Sequence, residues 1–358
     1  MVMLHHWLRQ ALKLLLGMVL LLGLWVPTAT AALPPGNAVN DPRALLRLSL
    51  PLDNKEIREL QLYLEGTSPQ LRGKRWTEIS KDLEKASSKL AVKKSQILAD
   101  VPADRQDQAS ELLDNIAVGL SELKKLAAVQ DPQPFKDARA PVLRAVGEVE
   151  DLMVTGFPFE VPEEYSKLPQ LKGRATVVID TTKGSMTAIL DGYNAPVTAG
   201  NFVDLVKRGF YDGIPFTRTE SSYVIQTGDP EGPDTGFIDK STGENRTIPL
   251  EVMIEGDSLP IYGITTEELG LYPAKPALPF SAYGTMAMAT SPDDANSASS
   301  QFFFLPFEAD LTPAGANLLD GRYAVFGYVV DGQDVLGELT KGDKIKSAKV
   351  VEGLENLV

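Results

Sequence analysis

The sequence predicts an α+β multidomain protein: an N-terminal α-helical bundle followed by a closed antiparallel β-barrel capped by two helices. Three observations carry this. Apolar residues recur at three- and four-residue steps from about residue 41 to 156, the period of an amphipathic helix. Residues 157–173 are dense in proline. From residue 174 the apolar period becomes two and the turns become glycine-rich, the pattern of half-buried strands. A chain of 358 residues can bury two cores.

Residues 1–31 read as a secretory signal. Arg9 and Lys13 flank the start of a short apolar core at 14–26, followed by Pro27 and the small-residue site Ala29-Thr30-Ala31. That core is shorter than the roughly 20 residues of a membrane span, which favours cleavage over an uncleaved anchor. Contact with a membrane is then expected only through the signal or through membrane-protein clients. No Arg-Arg pair marks a twin-arginine route. Both histidines, His5 and His6, lie in this segment, and cysteine is absent. The exported chain therefore has no Ser-His-Asp or Cys-His apparatus, no thiol redox chemistry and almost no means of binding zinc. Loss of Arg9 and Lys13 takes the formal charge from −13 to −15. Such an acidic chain is a poor partner for a nucleic-acid backbone.

The helical half spans residues 32–156. Asp53 is placed to cap a helix with Ile57, Leu60 and Leu64 on one face. A longer stripe follows at Trp76, Ile79, Leu83, Ala86, Leu90 and Ile97. A third runs through Leu113, Ile116, Leu120, Leu123 and Ala127, and a fourth through Val142, Val146, Val149 and Met153. Such stripes bury one another in an antiparallel bundle. Pro102 and Asp131-Pro132-Gln133-Pro134 mark its turns. The Pro-rich linker, 157–173, is a semi-rigid spacer, or a strap whose Phe157, Phe159 and Tyr165 pack onto one domain.

The second half, 174–358, opens with a hairpin at 175–180 and 185–190, joined through Thr181-Thr182-Lys183-Gly184. A helix is expected at 196–206, with Asn201 and Asp204 on its polar side, and a short one at 331–339. Further strands are expected at 214–218, 223–226, 284–289, 301–305, 324–329 and 346–351. Many short strands with two helices point to a capped barrel.

Within this half, residues 216–230 are the most informative. Strand alternation puts Phe216 and Arg218 on one face. Taken alone, Arg218 either pairs with an acid or lines a pocket. Gln226 is either a satisfied core amide or a ligand. Phe303, between Phe302 and Phe304, is core or exterior.

The blocks Phe210-Tyr-Asp-Gly213, Phe216-Thr-Arg218, Tyr223-Val-Ile-Gln226-Thr-Gly-Asp-Pro230, Gly284-Thr-Met-Ala-Met-Ala289, Ser300-Gln-Phe-Phe303 and Leu319-Asp-Gly-Arg-Tyr-Ala-Val-Phe-Gly327 occur in one order. Through them residues 174–358 resemble the cyclophilin family of peptidyl-prolyl cis-trans isomerases. The resemblance implies that Arg218 is catalytic and that Gln226 and Gln301 bind the peptide. It places Tyr223, Val224, Phe303 and Leu319 in a proline pocket with Phe216 beside it, and Ala289 and Thr290 on the bound backbone. Leu318 and Tyr323 stand where the family commonly has tryptophan and histidine, so the pocket keeps its place and changes its polarity. Weakened cyclosporin binding and reduced turnover are expected from these departures. No cofactor is implied, since rotating an X-Pro bond breaks no covalent bond. An insertion containing residues 261–272 is either loop decoration or a contact surface.

The whole layout resembles the thylakoid-lumen branch of the family in plants and cyanobacteria. That implies an exported protein of the thylakoid lumen or periplasm acting on proline-containing clients, photosystem II subunits among them. A chaperone or scaffold with little catalysis is the competing expectation.

Overall fold

The computed structural model describes residues 39–220, 223–240, 242–272, 274–291, 293–307 and 317–358. The expected signal segment lies outside the described residues. Helix α1 (Pro42–Leu48) is capped by the Asp41 side chain and starts on a proline. Its neighbours are α2 (Lys55–Glu65), α3 (Thr67–Arg72), α4 (Trp76–Ala99), α5 (Gln106–Val129) and α6 (Pro132–Met153). The cap of α2 is Asn54, not Asp53: the Asn54 amide oxygen accepts from Ile57 N–H at 3.0 Å. The α5–α6 turn follows from three adjacent residues. Gln130 takes a left-handed φ of 63°, Asp131 caps α6, and Pro132 occupies its first turn, where a missing N–H costs nothing.

The four apolar stripes meet in one core, in which Ile57, Leu60, Ile79, Leu113, Ile116, Phe135 and Val146 are fully buried. Helices α5 and α6 approach closely at Gly119, where an added Cβ would overlap Val142 Cγ2.

The linker holds a short 3-10 turn, Glu163–Tyr165, and its Phe159, Tyr165 and Leu168 pack on the core of the second half. That half is built on β1 (Arg174–Thr181), β2 (Ser185–Asp191), β3 (Arg218–Glu220), β4 (Val224–Thr227), β7 (Thr285–Met288), β8 (Phe302–Leu305), β9 (Val325–Asp331) and β10 (Ile345–Glu352). These form one antiparallel sheet in the order β10-β1-β2-β9-β7-β8-β4-β3. The helices α7 (Pro196–Lys207) and α8 (Asp334–Glu338) accompany it.

The expected closed barrel is corrected here to an open, curled half-barrel. Its edges are β10 and β3, and the gap between them carries one isolated bridge, Pro215↔Lys344. Pro215 has no N–H to extend a ladder, and β3 has only three residues. The strand expected at 214–218 therefore begins only at Arg218. Asn201 and Asp204, expected on a polar face, are buried. Asn201 donates to Ser299 C=O at 2.6 Å, and Asp204 accepts from Arg246 at 2.6 Å and Arg208 at 2.8 Å.

The described residues fall in a single unit, and a buried network joins its two cores. Asp191, wholly buried, accepts from Arg174 Nη2 at 2.9 Å and Ser49 Oγ at 2.9 Å. Arg174 also donates to the Leu46 carbonyl oxygen and lies 3.5 Å from Asp151. Leu45 and Leu46 of α1 belong to the sheet's core. The helical half is thus attached at β1 and β2, while β3, β4 and β8 lie at the other end of the strand order.

Candidate functional site

Strand register assembles the site. Arg218 is paired with Gln226, Gln226 with Phe303, and Phe303 with Ala287. Directly paired residues project from the same face of a sheet, so Arg218, Gln226 and Phe303 form one row. The neighbouring positions of β8, Phe302 and Phe304, point to the opposite face and are fully buried. This resolves the Phe-Phe-Phe run into two core rings and one ring available to the site.

The amides are held in place. Gln226 Nε2 donates to Gln301 Oε1 at 2.8 Å. Gln301 Nε2 donates to Asp229 Oδ1 at 3.1 Å and to Thr235 C=O at 2.9 Å. Asp229, in the Gly-Asp-Pro turn, is a positioning residue that sequence reasoning passed over. Its proximity in sequence to Gln226 was the available signal.

The apolar wall surrounds Phe303. Tyr323 meets it edge-on at 5.4 Å, and Phe280 stacks on it at 6.0 Å with rings 7° from parallel. Phe280 was not anticipated, because it sits in irregular chain between the insertion and β7. Asp320 Oδ1 accepts its N–H at 2.8 Å, and Asn317 Nδ2 donates to its carbonyl oxygen at 2.9 Å. Leu319 packs on the same core, and Ala289 and Thr290 are half-buried at the end of β7. Ala289 N–H donates to Gln301 C=O at 2.9 Å. Val224 is buried, Tyr223 is 52 % exposed, and Leu318 is 81 % exposed. The structure thus brings Arg218, Gln226, Gln301, Phe303 and Tyr323 together and leaves Leu318 projecting from the surface.

Phe216 requires a correction. It is 1 % exposed and belongs to the hydrophobic core, so it presents no surface to a peptide. The alternation that placed it beside Arg218 fails because β3 does not extend back past Arg218. Its backbone instead bonds to the 342–343 turn.

Arg218 turns out to be both an ion-pair partner and a surface cation. Its Nε lies 2.7 Å from Glu220 Oε1, and about half of each side chain remains exposed. The bond to Glu220 raises the Arg218 pKa further and lowers that of Glu220, so both stay charged. The contact uses Nε and leaves the two Nη groups outside that bond. Among the described residues no group of His, Cys, Asp and Glu could hold a metal ion.

The insertion supports the wall. Residues Glu251–Val252 (β5) and Ile261–Tyr262 (β6) pair as a small hairpin, an element the sequence pattern did not disclose. Arg322 pairs with Glu267, and Thr266 N–H donates to Gly321 C=O at 3.2 Å, fixing the 319–323 loop. Glu251, itself buried, accepts from Val197 N–H at 3.2 Å and Thr198 N–H at 2.8 Å, capping α7. Tyr262 rests on Tyr165 of the linker at 5.2 Å.

The pattern for cyclophilin type peptidyl-prolyl cis-trans isomerases matches residues 176–355, which contain every residue of the row. The chain belongs to the cyclophilin family. A second pattern, for the PsbQ-like domain of CYP38-like peptidyl-prolyl cis-trans isomerases, matches residues 41–154 and accounts for the helical half. This cyclophilin is 52 % identical over 332 residues to a proposed thylakoid lumen peptidyl-prolyl cis-trans isomerase of Synechocystis, covering 93 % of this chain and 88 % of that protein. It is 45 % identical over 375 residues to the chloroplastic isomerase CYP38 of Arabidopsis thaliana, covering 96 % and 85 %. Chloroplastic CYP37 of the same plant is 33 % identical over 341 residues, covering 87 % and 69 %. The cyclophilin is a peptidyl-prolyl cis-trans isomerase by family, with proline-containing polypeptides as substrates.

Proposed function

We propose that this cyclophilin accelerates X-Pro isomerisation in exported proteins of the thylakoid lumen, photosystem II subunits among its clients, with Arg218 as the catalytic residue. The observation that carries the reading is the Arg218–Gln226–Phe303 row beside a fixed Gln226–Gln301 pair. Proline sits against Phe303, Tyr323 and Leu319, and the peptide backbone meets Gln226, Gln301, Ala289 and Thr290. The barrier to rotation is amide resonance, about 18–20 kcal/mol. In the twisted state the prolyl nitrogen regains its lone pair, and a guanidinium Nη donating to it stabilises that state above either planar isomer. Such chemistry needs no nucleophile, base, metal or cofactor. The lumenal assignment rests on the similarity to the thylakoid lumen isomerase of Synechocystis and to chloroplastic CYP38 of Arabidopsis.

A proline peptide followed by NMR exchange tests the catalytic role. Arg218→Ala is expected to lower kcat/KM by about 10²–10³-fold, the usual loss for one preorganised donor. Equal turnover by parent and variant would instead favour a scaffold that binds without catalysing. That second reading has its own support in the exposed Leu318 and in the tyrosines at 223 and 323, which add phenol groups to the site.

A further inference from the structure

In a chain of net charge −13, six cationic side chains line one cleft of about 280 Å³ between α1, α6 and the start of β1. They are Arg43, Arg47, Lys136, Arg139, Arg144 and Arg174. Asp41, Glu148 and Asp151 also border the cleft. Two of the cations are committed: Arg47 to Glu65 at 2.5 Å, and Arg174 to Asp191 and Asp151. Gly147 allows the first of these, since the Arg47 methylenes cross α6 where a Cβ would stand 3.3 Å away.

Arg139 is different. It is 8 % exposed, and its Nη1 donates only to neutral hydroxyls, Thr67 Oγ1 at 2.9 Å and Ser68 Oγ at 2.5 Å. Its Nε is buried with no acceptor. No carboxylate of the described residues lies within ion-pair distance of it. A buried guanidinium without an anion is costly, and such groups are normally paired. Partial burial of the Arg43 head group, and next to it the like charge of Arg144 at the same cleft, lower the Arg43 pKa. Lys136, Arg139 and Arg144 of α6 all line the cleft.

We propose that this cleft binds a small oxyanion, a phosphate, sulfate or carboxylate group, held by Arg139 with Arg43 and Arg144. Guanidinium groups suit such ligands because their N–H groups match pairs of oxygens. A cleft of this size admits a free ion or the headgroup of an anionic lipid. The site lies where the helical half meets β1 and β2 and shares no residue with the Arg218 row, so it neither requires nor tests the isomerase reading.

The experiment titrates inorganic phosphate into the full chain by calorimetry at constant ionic strength, with chloride as the matched ion. Saturable binding is expected, weakened by about tenfold or more in R43A/R144A, whose residues are exposed and leave the fold intact. Arg139→Gln should abolish it, with circular dichroism reporting whether that variant folds. A second arm measures co-sedimentation with phosphatidylcholine vesicles with and without phosphatidylglycerol, comparing parent and R43A/R144A so that the N-terminal apolar segment is constant. Phosphatidylglycerol-dependent binding that the double variant loses and phosphate reverses assigns the headgroup, and vesicle binding equal in both chains leaves the free ion. No saturable phosphate binding, or binding unchanged in R43A/R144A, overturns the proposal.

Discussion

Glu150 makes the stability of the helical half depend on pH in an unusual direction. Its side chain is wholly buried in α6, 3.3 Å from Arg58 Nη1, and its Oε2 has no partner. Burial raises its pKa from 4.5 to about 8, more than the nearby Arg58 and Arg47 charges lower it. Arg58 cannot satisfy it fully, because the same guanidinium donates to the Arg47 and Leu50 carbonyls, each at 2.6 Å. For an acid whose folded pKa lies above its unfolded value, the native state holds the extra proton. Stability from this group is present below about pH 4.5 and lost as pH rises toward 8. The slope is at most about 1.4 kcal/mol per pH unit, so the loss is at most about 5 kcal/mol across the window. Glu65, Asp151 and Glu251 are raised by burial too and share the sign, so the parent should melt at a lower temperature at pH 8 than at pH 5. Glu150→Gln supplies a permanently neutral, near-isosteric side chain. Thermal denaturation should find it level with the parent at pH 5 and about 2–4 kcal/mol more stable at pH 8. Parallel pH profiles for parent and variant would refute the reasoning, since they would mean that Glu150 is ionised in the native state at neutral pH.

Two further outcomes follow from packing and positioning. Gly119→Ala, in α5, gains up to about 1 kcal/mol of helix propensity but drives a methyl into Val142, whose β-branched χ1 has little freedom in a helix. A net loss of about 1–2 kcal/mol in urea denaturation is expected, and a more stable variant would show that α5 and α6 can separate at no cost. Asp229→Ala removes the acceptor that orients the Gln301 amide. It should raise KM for a proline peptide by about tenfold, the scale of one positioned hydrogen bond, with kcat little changed. A fall in kcat with KM constant would give Asp229 a different part.

What could be read in advance divides along one physical line. Helix stripes were legible because each apolar residue reports its own burial, and Ile57, Leu60, Ile79, Leu113 and Ile116 lie in the core where their spacing put them. Caps were less so: Asp53 and Asn54 are both capping residues, and only backbone geometry at Asn54 separates them. In the sheet, the strand pattern located seven strands, overlapped the eighth only at Arg218, and missed the open closure of the sheet. Closure depends on whether β3 and β10 meet, and β3, only three residues long, stops short of that seam, which carries the one isolated bridge Pro215↔Lys344. The same short strand misplaced Phe216, since an inference by alternation holds only inside a regular strand. The row of Arg218, Gln226 and Phe303 was reachable through motif resemblance alone. Composition and spacing left each of those residues between a structural and a binding role, and cross-strand register adds that the three stand in one row.

The insertion shows why an altered pocket still has defined walls. Tyr323 lies in a loop that would be mobile if held only by its own turn. Here Arg322 pairs with Glu267 and Gly321 accepts from Thr266, so the 266–267 corner clamps that loop. The insertion is anchored in turn at its base, where Glu251 caps α7, and at its flank, where Tyr262 meets Tyr165. Tyr165 belongs to the strap that leads back to the helical half, and Glu251 is held by the helix whose Asn201 bonds to Ser299, two residues before Gln301. The Tyr323 loop and the Gln301 amide are therefore supported by one connected set of contacts. Geometry supplied by contacts outside the motif can keep a pocket in shape after its usual tryptophan and histidine positions have become Leu318 and Tyr323.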